Sequence, residues 1–269
     1  MPDSCFMMKQ KDMIFFKTKQ SLGQNFLMHA RIAERIALVA DLTPDTVVFE
    51  IGPGTGMLTK ELLKRAGKVI ALEADHELVR QLHLRFAPEI KDGRLELHSG
   101  DIRTFAIATL PKGYVVVANI PYYLTGEIFR MFLETEQQPS AMTLLVQKEV
   151  AERIARTKKE SILSLSIKVY GTPKYEFTVP RGAFNPAPNV DSAVLTIRAI
   201  SRNNFASRAE ERHFFELIRA GFAHKRKFVR KNLIEAGFSA GTIPEKARAE
   251  DLALSEWLAI IAGKNQPPE

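Results

Sequence analysis

The chain lacks the features that mark secreted, membrane-spanning and metal-binding proteins. Cys5 is the only cysteine in 269 residues, which excludes an intrachain disulfide and a cysteine-rich zinc site and agrees with a reducing compartment. No run of about 18 apolar residues is present to span a bilayer. The basic N-terminus also lacks the apolar stretch that a secretory signal needs. We therefore expect a cytoplasmic protein with no bound metal and no membrane partner.

Fixed-period repeats and low-complexity tracts are also absent, which excludes solenoid and disordered architectures. Apolar segments rich in β-branched residues instead alternate with amphipathic helical patterns. Because strands that alternate with helices form βαβ units, this order predicts an α/β fold with a mostly parallel sheet and helices on both faces. The predicted strands are 47–51, 68–73, 94–98, 114–119 and 142–147, and the predicted helices are 57–67, 77–87 and 126–136.

The pattern changes from Lys174 onward. Residues 174–180 and 191–200 form two strand-like runs joined by a proline-rich loop, and we expect them to add an antiparallel ribbon at the edge of the sheet. Beyond them the apolar residues follow helical spacing, which predicts a small all-α domain. The predicted divisions are an N-terminal tail over 1–18, the α/β domain over 19–203 and the helical domain over 204–269.

A formal net charge of +7 and a dense basic cluster near the C-terminus favour a polyanionic partner. Basic patches attract the phosphates of nucleic acids, although a run of charges is often only the solvated face of a helix. The i, i+4 spacing within the cluster can keep several cations on one helical face. The candidate RNA contacts are Lys225, Arg226, Lys227, Arg230 and Lys231.

A glycine-rich loop, FEIGPGTG, follows the first predicted strand. Glycines at this place let the chain turn tightly and let a ligand approach the backbone. The dinucleotide pattern G-x-G-x-x-G is absent because Met57 stands where its last glycine would be, so an NAD-dependent oxidoreductase is disfavoured. The spacing E-x-G-x-G-x-G instead resembles the first motif of the S-adenosylmethionine-dependent methyltransferases. Its glycines are Gly52, Gly54 and Gly56.

One acidic residue ends the second predicted strand and another lies just past the third, at the edge where ligands bind in parallel sheets. Glu73 can accept hydrogen bonds from both ribose hydroxyls of the cofactor, and the alternative is a solvated carboxylate at a strand end. Asp101 can accept a hydrogen bond from an adenine amino group, or it can cap a helix. The two roles of Asp101 are compatible.

The stretch Asn119–Tyr122 contains more than a turn needs, since a turn does not require the tyrosine. The N6 nitrogen of adenine is a weak nucleophile that carries two N–H donors. The Asn119 side chain and the Ile120 carbonyl can each accept one of them, while Pro121 holds that carbonyl in place. Tyr122 can stack on a base drawn out of its helix or loop. Positioning and desolvation then serve in place of a strong general base.

Seven blocks, in order, resemble the ribosomal RNA adenine N6,N6-dimethyltransferase family. The blocks are KQSLGQNFL, FEIGPGTG, ALEAD, SGDI, ANIPYY, LLVQKEVAERI and FNPAPNVDSAVL, and they span most of residues 19–200. The resemblance implies a Rossmann-like class I methyltransferase with a seven-stranded sheet and S-adenosyl-L-methionine as methyl donor. It also implies a monomer that acts on immature 30S particles and transfers two methyls to each of two adjacent adenines near the 3′ end of small-subunit (16S) rRNA.

The resemblance assigns roles to further residues. It suggests that Phe184 contacts the target base from the side opposite Tyr122, and a position in the core is the alternative. The cofactor-binding residues that it implies, with the other two glycines of the loop, are Asn25, Leu27, Gly52, Glu73, Asp101, Ile102 and Asn119.

Other functions stay open at this point. The related large-subunit enzyme of macrolide resistance shares the QNFL and NIPY blocks, although VQKEVAERI and FNPAPNVDSAVL resemble the small-subunit branch more. An adenine DNA methyltransferase could use the same chemistry, but it would not need the N-terminal and proline-loop blocks. A non-catalytic RNA-binding or transcription factor on this scaffold is an alternative from a different class. The intact Asn119, Pro121 and Tyr122 argue against lost catalysis.

Overall fold

In the computed structural model, which describes residues 24–241 and 243–262, the described chain forms nine strands and ten α-helices. The strands are β1 (Phe26–Leu27), β2 (Val47–Ile51), β3 (Lys68–Glu73), β4 (Leu95–Ser99), β5 (Val115–Asn119), β6 (Ala141–Gln147), β7 (Thr172–Val179), β8 (Phe184–Asn185) and β9 (Ser192–Arg198). The helices are α1 (Ala30–Val39), α2 (Met57–Leu62), α3 (His76–Arg85), α4 (Ala87–Lys91), α5 (Thr125–Leu133), α6 (Lys148–Ala155), α7 (Ile162–Lys168), α8 (Arg208–Gly221), α9 (Val229–Glu235) and α10 (Leu254–Ile261).

The main sheet has seven strands in the order β4-β3-β2-β5-β6-β9-β7. The first five run parallel, whereas β9 and β7 are antiparallel to their neighbours. The inner parallel strands β2, β3, β5 and β6 are mostly apolar because helices cover both faces of the sheet. The strand order reverses between β2 and β5, which opens a crevice at their carboxyl ends. The predicted α/β fold with an antiparallel ribbon is confirmed.

The predicted strands of the parallel part agree with the structure to within one residue at each end. The helix predicted over 57–67 is too long, because α2 ends at Leu62. There the chain tightens into a turn in which the N–H of Arg65 donates to the Leu62 carbonyl over 2.9 Å. Gly67 then passes close to the preceding loop, where a Cβ would lie 2.0 Å from the carbonyl oxygen of Pro44.

Helices α8, α9 and α10 follow the last strand and share one buried cluster with the sheet. Tyr170 stacks on Phe215 of α8, with ring centroids 6.1 Å apart, and donates a hydrogen bond to the buried Glu211. The predicted tail lies outside the described residues, and the domain boundary at residue 204 stays a prediction. In the described part of the chain, every helix is too short or too polar to cross a bilayer.

Candidate functional site

A pocket lies at the carboxyl ends of β2, β3 and β5, where the strand order reverses. Its wall is formed by the loops after these strands, by the loop after β4 and by the segment around β1. Most of the predicted site residues line it: Asn25, Leu27, Gly52, Gly54, Glu73, Asp101, Ile102, Asn119, Ile120, Pro121 and Tyr122. Three predicted features do not line it, namely Gly56, Phe184 and the basic cluster.

The glycine-rich loop turns from β2 into α2 through left-handed backbone conformations that favour glycine. Gly54 has a φ of +58°, and its N–H donates to Oε2 of Glu73 over 2.9 Å. Gly56 has a φ of +77°, and a Cβ there would lie 2.5 Å from the ring of Phe86. Gly54 therefore shapes the pocket wall, whereas Gly56 lets α2 begin against the end of α3.

The Glu73 carboxylate lies at the end of β3 and is only 5% exposed, so it is not a solvated strand-end group. Its Oε2 accepts from Gly54, and its Oε1 accepts the N–H of Asp75 over 2.9 Å. Burial raises the pKa of Glu73, and these two hydrogen bonds oppose that effect. Each oxygen keeps a second lone pair, so the carboxylate can also accept a hydroxyl of a bound molecule.

Asp101 caps the short 3₁₀-helix of residues 102–104, which is the structural alternative considered for it. Its Oδ1 accepts the N–H of Arg103 over 2.9 Å, and both oxygens accept from the Arg103 guanidinium. The Arg103 guanidinium and backbone N–H hold the pKa of Asp101 below its usual range. A contact between Asp101 and a cofactor adenine stays a prediction. Ile102, beside it, is buried and lines the pocket.

Asn119 ends β5 with its amide held in one orientation. Its Nδ2 donates to the carbonyl of Asn25 over 3.1 Å, across 94 residues of sequence. This bond uses an N–H, and Oδ1 has no donor among the described residues. The side chain therefore presents an acceptor, as the predicted methyl-acceptor site requires.

Tyr122 is anchored by a residue that the sequence analysis did not identify. Its hydroxyl lies 2.6 Å from Oγ of Ser192, which is fully buried on β9. Burial raises the pKa of Tyr122, so its hydroxyl stays protonated at neutral pH. Tyr123, in contrast, is 61% exposed at the rim of the pocket. The bond to Ser192 holds the hydroxyl end of the Tyr122 side chain in place.

Phe184 is buried in this structure, with 5% of its surface exposed. It lies on β8, opposite Leu27 of β1, and belongs to the buried cluster on one face of the sheet. This placement corresponds to the core position that was the alternative for Phe184. A contact between Phe184 and a target base requires the ring to become accessible, and it stays a prediction.

Glu50 is a pocket residue that the sequence analysis missed. It is 1% exposed and lines the pocket floor, and neither carboxylate oxygen has a hydrogen-bond partner among the described residues. Burial raises the pKa of Glu50 to about 8, and the nearby Thr59 hydroxyl offsets part of this rise. The signal in the sequence was a carboxylate inside an otherwise apolar strand, VVFEI.

We expect Glu50→Gln to remove a pH dependence of folding stability in the cofactor-free protein. The unfolded chain ionises Glu50 near pH 4.5, whereas the folded chain keeps it protonated up to about pH 8. The folded state thus binds more protons across this range, and its stability falls as the pH rises. We expect thermal unfolding to show a smaller fall in stability with rising pH for the variant than for the natural chain. The variant should also have the higher melting temperature at alkaline pH.

Glu216→Gln is the matched control, because it is the same substitution at a residue that is exposed on α8. It should follow the pH profile of the natural chain. If Glu50→Gln follows that profile as well, Glu50 is ionised in the folded protein and this interpretation is wrong.

The basic cluster lies away from the pocket and does not occupy one helical face. Helix α8 ends at Gly221 and α9 begins at Val229, so residues 223–228 form an exposed segment, here called the basic turn. The predicted i, i+4 arrangement is wrong for Lys225, Arg226 and Lys227, because they precede the helix. Lys227 pairs with Glu235 at 3.0 Å, and Arg230 donates to the carbonyl of Ile243 over 3.1 Å.

Comparisons with known proteins show which family the chain belongs to. The sequence matches the family model described as ribosomal RNA adenine dimethylase over residues 15–266. A relative from Dehalococcoides mccartyi, named ribosomal RNA small subunit methyltransferase A, is 39% identical over 93% of this chain and 90% of its own length. A protein of the same name from Fusobacterium nucleatum is 35% identical over 91% of this chain and 97% of its own length.

Solved structures show the same fold. The 23S rRNA methyltransferase ErmE has a TM-score of 0.75 and 25% identity, covering 90% of this chain and 100% of its own. A dimethyladenosine transferase from Plasmodium falciparum also has a TM-score of 0.75, with 24% identity, covering 89% of this chain and 97% of its own. The predicted Rossmann-like class I methyltransferase fold is confirmed.

The pocket fits S-adenosyl-L-methionine, the methyl donor of this class. That molecule carries an ammonium group and two ribose hydroxyls, all of which are hydrogen-bond donors. The pocket offers acceptors to them in the unpartnered Glu50 carboxyl and in the buried Glu73 carboxylate. The chain belongs to the ribosomal RNA adenine dimethylase family and is an S-adenosylmethionine-dependent methyltransferase.

Proposed function

We propose that this chain dimethylates the N6 amines of two adjacent adenines near the 3′ end of small-subunit rRNA. The observation that carries the proposal is the acceptor side of the pocket, where the oriented Asn119 amide lies beside the anchored Tyr122 ring. Relatives at 35–40% identity are named as small-subunit enzymes, whereas ErmE, named for 23S rRNA, shares 25%. This difference favours the small-subunit substrate.

The residues of the loop after β5 position the target nitrogen. Oδ1 of Asn119 accepts one N–H of the adenine amine, and the carbonyl of Ile120 accepts the other. Because both acceptors favour positive charge on that nitrogen, they stabilise the transition state more than the ground state. Pro121 has a fixed φ and accepts the N–H of Leu124 over 3.0 Å, which holds the Ile120 carbonyl in place.

Tyr122 supplies a flat surface for the target base. Its ring can stack on an extruded adenine, a contact that contributes about 1–3 kcal/mol per base. The hydrogen bond to Ser192 prevents the ring from rotating away. When bound, S-adenosylmethionine supplies a methyl group on a positively charged sulfur. The amine becomes acidic only after transfer, so its proton passes to solvent without a strong base.

The basic turn and α9 form the proposed RNA-docking surface. Phosphate contacts hold an RNA without reading its sequence, and the pocket then receives the base. The proposed partner is the immature 30S particle in the cytoplasm, bound by one copy of the chain. The cations that carry this role are Lys225, Arg226, Lys227, Arg230 and Lys231.

The test is to map dimethyladenosine on rRNA from cells with and without the gene. We expect the deletion to lose two adjacent dimethyladenosines near the 3′ end of small-subunit rRNA. Purified protein with S-adenosylmethionine should restore them on immature small subunits from the deletion strain. Methyl transfer only to large-subunit RNA, or to neither RNA, would show that the proposal is wrong.

A further inference from the structure

Phe228 is an exposed aromatic residue at the end of the basic turn. It is 37% exposed and belongs to neither buried cluster of the described chain. Its neighbours in sequence behave differently, since Phe222 stacks on Trp257 and Phe238 lies against His213. A single exposed apolar residue is common on protein surfaces, so the significance of this ring depends on the charges near it.

Exposed cations lie within three residues of Phe228 in the sequence. Lys225, Arg226 and Lys231 are exposed and form no ion pair with a described residue. Residues 223–235 contain five lysines and arginines but one acidic residue, Glu235. This excess of positive charge is complementary to a polyanion. A flat apolar ring among the charges adds a surface on which a base can lie.

The basic turn is held in shape by a buried amide. Asn232 is 3% exposed, and its Nδ2 donates to the carbonyls of Gly221 and His224 over 2.6 and 3.3 Å. The N–H of Lys227 donates to the His224 carbonyl over 3.0 Å, and a groove runs along residues 223–227. The backbone that presents the ring is therefore formed before any partner binds, which lowers the entropic cost of binding.

We propose that Phe228 is a stacking platform for an unpaired RNA base, with Lys225, Arg226 and Lys231 holding the neighbouring phosphates. The inference rests on the proposed function in one respect, namely that the partner is RNA. Aromatic stacking combined with phosphate contacts is how proteins bind single-stranded and looped RNA. The basic turn thus prefers a looped RNA to a continuous duplex, which offers no accessible base face.

Phe228→Trp turns the proposed platform into a reporter. The natural chain has one tryptophan, Trp257, and it is fully buried, so the new indole is the accessible one. We expect an RNA hairpin with an unpaired adenine loop to quench the emission of the variant at saturation. Heparin, a polyanion without bases, should bind without quenching. Absence of quenching by the saturating hairpin, or equal quenching by heparin, would overturn the inference.

Affinity measurements separate stacking from charge. Phe228→Ala should lower the affinity for the hairpin between about five-fold and 150-fold, and leave the affinity for a blunt duplex of the same stem unchanged. The double variant Lys225→Ala/Arg226→Ala should weaken binding to both RNAs and reduce the salt slope by about one for each phosphate that is no longer neutralised. A melting curve checks that Phe228→Ala still folds, as expected for a residue that belongs to neither buried cluster. Equal losses on both RNAs with Phe228→Ala would contradict the platform.

Failure of this inference can be told from failure of the proposed function. Dimethyladenosine mapping tests methyl transfer, whereas quenching of the Phe228→Trp variant tests base stacking at the basic turn. If the natural chain restores dimethylation but the hairpin leaves the emission unchanged, the platform is wrong and the function stands. If the hairpin quenches but no dimethyladenosine appears, the function is wrong and the surface stands.

Discussion

We expect Asn119→Ala to lower the rate of methyl transfer by roughly 10²–10³-fold, the usual effect of removing one preorganised hydrogen-bonding group from a transition state. The variant loses the Oδ1 acceptor that orients the adenine amine. It also loses the Nδ2 bond to the Asn25 carbonyl, which contributes about 1 kcal/mol to stability and leaves the fold intact. The measurement is single-turnover transfer to immature small subunits, with cofactor affinity determined separately by calorimetry.

Two further variants make this result specific. Asn119→Asp keeps an acceptor at the same place and should retain more activity than the alanine variant. Asn203→Ala removes an exposed amide in a loop outside the pocket and should leave the rate unchanged. A near-normal rate for Asn119→Ala would refute the role of Asn119, and a large fall in cofactor affinity would show that its main role is to bind the donor.

Glu73→Ala is the second change with a large expected effect. Glu73 lines the pocket and also accepts hydrogen bonds from the backbone N–H groups of Gly54 and Asp75. Removing the carboxylate leaves the buried N–H groups of Gly54 and Asp75 without acceptors. Each unsatisfied buried donor costs about 1–3 kcal/mol, so the loop should loosen. We expect cofactor binding by calorimetry to fall below detection and the melting temperature to fall with it.

Glu77→Ala is the matched control for this change, since Glu77 lies four residues further on and its side chain is 55% exposed. It should bind cofactor like the natural chain. Glu73→Gln keeps one acceptor oxygen of the two and should lie between the natural chain and the alanine variant. Normal cofactor affinity in Glu73→Ala would contradict the placement of the cofactor in this pocket.

Local patterns were sufficient to predict the strands of the parallel part of the sheet. The segments of β2, β3 and β5 are apolar and β-branched because helices cover both faces, and such runs can be recognised from sequence without knowledge of their partners. The same holds for the glycine-rich loop and for the end of β5 at Asn119. These features depend on residues that are adjacent in the chain.

Contacts between distant segments could not be predicted in this way. Ser192 lies 70 residues from the Tyr122 that it anchors, and Asn25 lies 94 residues from Asn119. Both contacts arise only when the sheet assembles and brings β9 and β1 to the same edge. The burial of Phe184 has the same origin, since β8 pairs with β1. The break in the basic cluster depends on a shorter contact, in which the Asn232 side chain within α9 donates to the carbonyls of Gly221 and His224 and holds the turn between α8 and α9.

The buried cluster that α8–α10 share with the sheet has a consequence for how the enzyme chooses its target. A continuous interior prevents the basic turn and the pocket from moving apart unless that interior opens. The distance between these two surfaces is therefore fixed. In the proposed complex, an RNA bound at the basic turn presents to the pocket only those nucleotides that its own folded shape places at that distance. We therefore expect the folded shape of the RNA to determine which adenine reaches the pocket.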